Sequence, residues 1–240
     1  MNEKRIDYNS PAELKAYLEQ NGLAMQKKFG QNFLVNGKAR ATLADSLAVQ
    51  PGMRVWEVGP GLGAMTSELL KRGAVLTVFE IDRGFIDALK TLFSEYEASG
   101  ALRIVAGDVL KNWKSEAESH GLPDRFFGNL PYNIAASLIG DTIEAHCRFE
   151  RAVFTVQKEV AERMCAAVGT ADYSSFSVPV GIPRQAGHRP CRREFLAEAE
   201  CRIAGGCAGT CGRLPALRKS CIVCVHAASI VCRPPQNGQK

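Results

Sequence analysis

Two short stretches hold residues whose types and spacing can do chemistry. In "FFGNLPYN" (residues 126–133) an apolar run delivers Asn129, then Leu130-Pro131, then Tyr132. The side-chain carbonyl of Asn129 and the backbone carbonyl of Leu130 can accept hydrogen bonds from both N–H groups of an exocyclic aromatic amine. Such an amine is a poor nucleophile because its lone pair is delocalised into the ring. Two acceptors fix the nitrogen and favour a pyramidal geometry that releases the lone pair. Pro131 lacks an N–H and has a fixed φ, so it steadies the preceding carbonyl. Tyr132 offers an aromatic face on which an extruded base can stack. Taken by itself, the stretch also reads as a turn that caps a strand, with Tyr132 in the core.

The second stretch is "WEVGPGLGAM" (residues 56–65). Gly59 and Gly61 let a backbone turn sharply and approach a ligand. Glu80 follows 21 residues after Gly59, where a carboxylate can accept from both ribose hydroxyls. Asp108 ends another apolar run and can take an adenine amino group, with Ile81 and Val109 placed to sandwich the ring. Gly59-x-Gly61-x-x-Ala64 with an acidic partner also fits the dinucleotide fingerprint. The glycines and Glu80 therefore leave S-adenosyl-L-methionine and NAD both open. Glu57, a carboxylate inside an apolar strand, suits a methionine-type ammonium better than a pyrophosphate. A sulfonium is a strong electrophile, so positioning rather than a general base supplies much of the rate.

These residues need a frame that brings strand ends together. Ser10-Pro11-Ala12-Glu13 has capping-box spacing and predicts a helix to about Gln20, stopped at Asn21-Gly22. "GKARATLADSLAV" has helical apolar spacing. From "RVWEVG" onward, apolar strands alternate with helices: "AMTSELLKRG", "AVLTVFEID", "GFIDALKTLFSEYE", "LRIVAGD", "KNWKSEAESHG", "DRFFGNLPYN", "IAASLIGDTIEAH", "RAVFTVQ" and "KEVAERMCAA". Five strand–helix units in succession imply a doubly wound α/β sheet with right-handed crossovers. Ligands of such sheets bind at the carboxyl ends of the strands, where both motifs fall.

Composition changes near residue 179. Residues 179–240 contain no Tyr, Trp, Met or Asp and hold seven of the nine cysteines. They carry ten Lys and Arg against three Asp and Glu, a net +7, which leaves −2 for residues 1–178 of the +5 total. Taken literally, that is a basic nucleic-acid-binding tail. Cys221-x-x-Cys224 with His226 is half a zinc pattern, without a second pair at matching spacing. No apolar run of 18 residues occurs and the polar start lacks an apolar signal core, so a cytoplasmic protein with no membrane span is expected. His120 and His146 read as surface residues without partners.

"QKKFGQNFLVN", "EVGPGLGAMT", "FEID", "GDVL", "GNLPYNIAASLI" and "VFTVQKEVAERM", in that order, resemble the ribosomal RNA adenine dimethyltransferase family over roughly residues 20–178. "NLPYN" followed by "AASLI" is more similar to the branch acting on small-subunit RNA than to the large-subunit methylases. The resemblance implies a Rossmann-like S-adenosylmethionine-dependent methyltransferase fold and N6-dimethylation of two adjacent adenines. Gln31, Asn32 and Leu34 would wrap the methionine end of the cofactor, with Gly59 and Gly61 lining it. Glu80 would hold the ribose and Asp108 the adenine, flanked by Ile81 and Val109. Asn129, Leu130, Pro131 and Tyr132 would receive the base, with Asn129 also touching the cofactor. The partner would be small-subunit ribosomal RNA in a 30S-type particle, met by a monomer. Gln26-Lys27-Lys28-Phe29 suits RNA backbone contact, and equally a solvated basic segment. A large-subunit ribosomal RNA adenine methylase, a nicotinamide oxidoreductase and a non-catalytic RNA-binding assembly factor remain alternatives.

The family continues with closing strands and a basic helical domain, which residues 179–240 do not resemble. Read one base out of register, with suitable codons, "EFLAEAECRIAGG" becomes N-F-W-P-K-P-N-V-A-S-R-A, similar to a C-terminal motif of the family. The same offset turns "PVGIPRQAGHRPCRR" and "VCRPPQNGQK" into family-like segments. The expected organisation is therefore an N-terminal helical extension (1–24), a methyltransferase domain (25–178) and an out-of-frame, disordered tail (179–240). Loss of the closing strands would leave "RAVFTVQ" as an open edge.

Overall fold

The computed structural model describes residues 6–23, 36–130, 132–145, 147, 149–157, 163, 166, 169–171, 173 and 220–226. Helix α1 (Pro11–Gln20) begins where the sequence places it: Ser10 Oγ accepts from the Glu13 N–H at 3.3 Å, with proline in the first turn. The returning half of the capping box is displaced, since the Glu13 carboxylate accepts from Asp7 N at 3.1 Å. Helix α2 (Gly37–Leu47) starts at Asn36, whose side chain accepts from Ala39 N.

The alternating region gives β1 (Arg54–Val58), α3 (Ala64–Lys71), β2 (Val75–Glu80), α4 (Arg83–Leu92), α5 (Ser94–Ala98), β3 (Leu102–Ala106), α6 (Val109–His120), β4 (Arg125–Asn129), α7 (Tyr132–Glu144) and β5 (Arg151–Gln157). The single helix expected over residues 84–97 is two helices. The chain turns at Phe93, whose buried ring packs so closely on Gly63 that a Cβ there would collide with it. Helix α6 starts two residues before the expected Lys111, because Asp108 caps it. The helix expected over "KEVAERMCAA" and the segment "QKKFGQNFLV" lie outside the described residues, apart from isolated positions.

The first five strands lie in the order β3-β2-β1-β4-β5. The first five strands run parallel, so the order reverses between β1 and β4. Helices α2, α3 and α4 cover one face with Leu43, Leu47, Met65, Leu69 and Leu89. Helices α6 and α7 cover the other with Trp113, Leu138 and Ile139. On that face Phe126 meets Trp56, Phe149 and Phe154 edge-on, at centroid distances of 5.8, 5.6 and 5.1 Å. At the amino edge, Arg125 Nε donates to Leu47 O at 2.8 Å and Arg151 Nη1 to Ser46 O at 2.7 Å. Two strand arginines thereby satisfy the last carbonyls of α2 and oppose its dipole.

The open edge expected at β5 does not exist. Strand β6 (Ser220–His226) pairs antiparallel with all of β5, from Arg151↔His226 to Gln157↔Ser220. The expectation of a disordered tail fails for these seven residues. The physical reason is that an edge strand presents a row of unpaired N–H and C=O groups that any short extended segment can satisfy. "CIVCV" is such a segment, rich in β-branched residues.

Candidate active site

The carboxyl ends of β1, β2, β3 and β4 meet around the point where the strand order reverses, the position at which open α/β sheets bind ligands. Their registers continue one residue past each strand. Gly59 N donates to Phe79 O at 3.0 Å, Gly107 N to Glu80 O at 2.7 Å, and Leu130 N to Thr155 O at 3.0 Å. The glycines at 59, 61 and 63 have φ of +69°, +57° and +84°, which lets the β1–α3 turn fold back over the strand ends. Gly59 lies against β4: a Cβ there would be 3.8 Å from the Asn129 carbonyl oxygen. The two motifs read from the sequence are therefore neighbours in space.

Glu80 is the hub of this edge. Its Oε2 accepts from Gly61 N at 3.1 Å, and its Oε1 accepts from Ile81 N at 2.9 Å and Asp82 N at 3.0 Å. It is 5% exposed. Burial pushes its carboxyl up, against the three backbone N–H groups that pull it down. Three of the roughly four acceptor sites of a carboxylate are thus taken by backbone, leaving one for a ribose hydroxyl. A grip on both hydroxyls requires one of these three N–H bonds to be released. Beside Glu80, Ile81 is 47% exposed and presents an apolar face, whereas Val109 packs into the core with Trp113. Of the pair expected to sandwich a ring, only Ile81 has open surface. Asp108 caps α6 through Oδ1 on Leu110 N at 3.0 Å, leaving Oδ2 for an amino group.

Glu57 is tied to helix α3. It is 1% exposed, and its Oε2 accepts from Thr66 Oγ1 of α3 at 2.8 Å. Burial raises its pKa from 4.5 to about 8, only partly offset by the Thr66 hydroxyl and reinforced by Glu80. The acid is therefore mostly protonated at neutral pH. His120, expected to lack a partner, lies 3.3 Å from Glu116 on α6.

Asn129, at the end of β4, is held from β5. Thr155 Oγ1 donates to Asn129 Oδ1 at 2.6 Å, and the two residues are direct partners in the parallel pair. Thr155 is 1% exposed. Sequence reasoning missed it; the available signal was one hydroxyl inside the apolar run "AVFTV", since a buried polar group needs a partner. Leu130 is buried, and its side chain fills the space that a Cβ on Gly128 would occupy. Tyr132 begins α7. Pro131, Gln31, Asn32 and Leu34 lie outside the described residues.

The site fits a nucleoside bearing a cation better than a dinucleotide. A pyrophosphate at the Gly61 N–H would lie against the Glu80 carboxylate that accepts from it at 3.1 Å. An exposed apolar side chain and acceptor oxygens at Glu80 and Asp108 match a ring, a ribose and an amino group.

Residues 22–183 match the family model described as "Ribosomal RNA adenine dimethylase". The chain is 55% identical over 172 residues to the Ribosomal RNA small subunit methyltransferase A of Treponema denticola, covering 72% of this chain and 58% of that protein. It is 48% identical over 172 residues to the protein of the same name from Treponema pallidum, with the same coverage. Among solved structures, a dimethyladenosine transferase from Plasmodium falciparum superposes with a TM-score of 0.50 at 26% identity, over 60% of this chain and 50% of that one. The chain thus spans about 58% of the length of the curated relatives it matches.

Proposed function

Because the chain belongs to the ribosomal RNA adenine dimethylase family, we propose that residues 25–178 form a methyltransferase domain that uses S-adenosyl-L-methionine to dimethylate N6 of two adjacent adenines in small-subunit ribosomal RNA. The observation that carries this reading is the meeting of Glu80, the Gly59–Gly63 turn and Asn129 at one edge of the sheet. The cofactor, when bound, supplies an electrophilic methyl group. Glu80 and Asp108 hold its ribose and adenine, Ile81 covers the ring, and Gly59 and Gly61 leave room for the methionine end. Gln31, Asn32 and Leu34 complete that end on the family pattern. Asn129 and the Leu130 carbonyl accept the two N–H groups of the target amine, fixing the nitrogen and turning its lone pair toward the methyl. Pro131 steadies the carbonyl, and Tyr132 stacks on the extruded base. The protein meets the RNA as a monomer, in a 30S-type particle.

The family match ends at residue 183, inside the stretch where composition changes. We assign residues 179–240 to an out-of-frame reading and residues 1–24 to a helical extension. Strand β6 is compatible with this, because main-chain pairing does not depend on which residues supply it. The chain as written then holds the cofactor but transfers methyl groups to RNA poorly. The test is to resequence the codons for Tyr173 to Gly187 and to assay both products with labelled cofactor and unmethylated 30S particles. Removal of one base should restore "NFWPKPN" and full dimethylation. Robust turnover by the 240-residue chain would overturn the tail assignment, and no turnover by either product would overturn the substrate.

A further inference from the structure

Residues 6–21 lie ahead of the family-matched region, yet they reach the turn at the centre of the site. Tyr8 Oη donates to the Leu62 carbonyl at 2.8 Å. Leu62 stands between Gly61 and Gly63, both with positive φ, and its side chain is 1% exposed among Leu14, Leu18, Phe85 and Ala88. The arm is itself anchored from α2. Arg40, 6% exposed, donates through Nη1 to Tyr8 O at 3.2 Å and through Nη2 to Asn9 Oδ1 at 2.8 Å. Its guanidinium lies 6.0 Å from the centre of the Tyr8 ring. Two glycines make room for the arm: a Cβ at Gly37 would collide with Asn9 Oδ1, and one at Gly84 with Leu23.

The turn is therefore gripped on consecutive residues from opposite sides. Glu80 takes the Gly61 N–H from β2, and Tyr8 takes the Leu62 C=O from the arm. Burial raises the Tyr8 phenol far above its ordinary value, so it remains an O–H donor throughout the physiological range. A loop rich in positive-φ glycines has many conformations to lose when a ligand binds. A contact that removes those conformations beforehand reduces the ordering cost of binding.

We propose that Tyr8 is a positioning residue for the cofactor turn: its hydroxyl fixes the Leu62 peptide, so the N-terminal arm sets the affinity of the domain for S-adenosylmethionine. This rests on the cofactor reading above. The test is Tyr8→Phe in the full 240-residue chain, read by calorimetric titration of S-adenosylmethionine and by hydrogen exchange without ligand. The variant keeps the ring and its packing and removes one hydrogen bond. The dissociation constant should rise about fivefold. Amide exchange should quicken in residues 61–65 and stay unchanged in α1, which a purely structural role for Tyr8 would not produce. Faster exchange in α1 alone, or no change in either the turn or the affinity, would overturn the proposal. If the unaltered protein binds no S-adenosylmethionine, the cofactor reading and the affinity claim fall, while the exchange result still decides whether Tyr8 fixes the turn.

Discussion

The two halves of the sheet's carboxyl edge are held in different ways. On the β1–β3 side, Glu80 gathers N–H groups from Gly61, Ile81 and Asp82, Asp108 caps the next helix, and Glu57 braces α3 through Thr66. The groups that shape this half all lie between residues 57 and 110, apart from the Tyr8 contact. On the β4–β5 side, Asn129 accepts a cross-strand bond from Thr155, and β5 pairs on its outer side with residues 220–226. The first half is held by neighbouring groups of the chain, the second by pairing with a segment distant in sequence. A site built from adjacent strand ends and their own backbone travels with those strands.

The comparison breaks first at Glu80. Glu80→Ala removes three charge-assisted bonds and frees the turn, so S-adenosylmethionine affinity should fall by more than roughly 100-fold in a calorimetric titration. Asn129→Ala should change the same affinity by less than about fivefold while removing any methyl transfer. Equal losses in the two variants would mean that the halves are not separable.

Glu57 sharpens the account of the first half through pH. Its folded pKa of about 8 lies above the ordinary 4.5, so between those values the native state keeps a proton that the unfolded chain has released. Its contribution is fully present below pH 4.5 and is lost as pH rises through 8, by at most about 1.4 kcal/mol per pH unit. Urea midpoints at pH 5 and pH 8 should differ less for Glu57→Gln than for the unaltered protein. An unchanged difference would place the titration elsewhere.

Thr155→Val tests the second half. The change removes the Thr155 hydroxyl that donates to Asn129 Oδ1 and should cost about 1–2 kcal/mol in urea unfolding, with most of the loss recovered by Thr155→Ser. The smallest effect is expected at Ser10→Ala. That cap bond is long and exposed, so a loss of about 0.5 kcal/mol should appear as fraying of α1 in hydrogen exchange.

Much of this was legible in the sequence, for local reasons. Ser10-Pro11 marks a helix start, the glycines mark a turn, and carboxylates after apolar runs mark strand ends. What stayed hidden depends on register between distant segments. Thr155 meets Asn129 only because β5 lies beside β4 at that offset. Tyr8 meets Leu62 across 54 residues. Glu57 is tied to Thr66 of α3, a pairing that the apolar pattern of β1 does not show. The paired edge of β5 was missed because main-chain bonding is indifferent to whether the family pattern supplies the strand.

We propose that residues 57–110 supply the core of the cofactor site in this chain, completed by Gln31, Asn32, Leu34 and Asn129 and braced by Tyr8. The most direct test is a calorimetric titration of the 240-residue protein with S-adenosylmethionine and, separately, with NAD. The account predicts saturable one-site binding of S-adenosylmethionine that Glu80→Ala removes, and no heat with NAD. Binding of NAD, or no binding of S-adenosylmethionine by a folded protein, would contradict it.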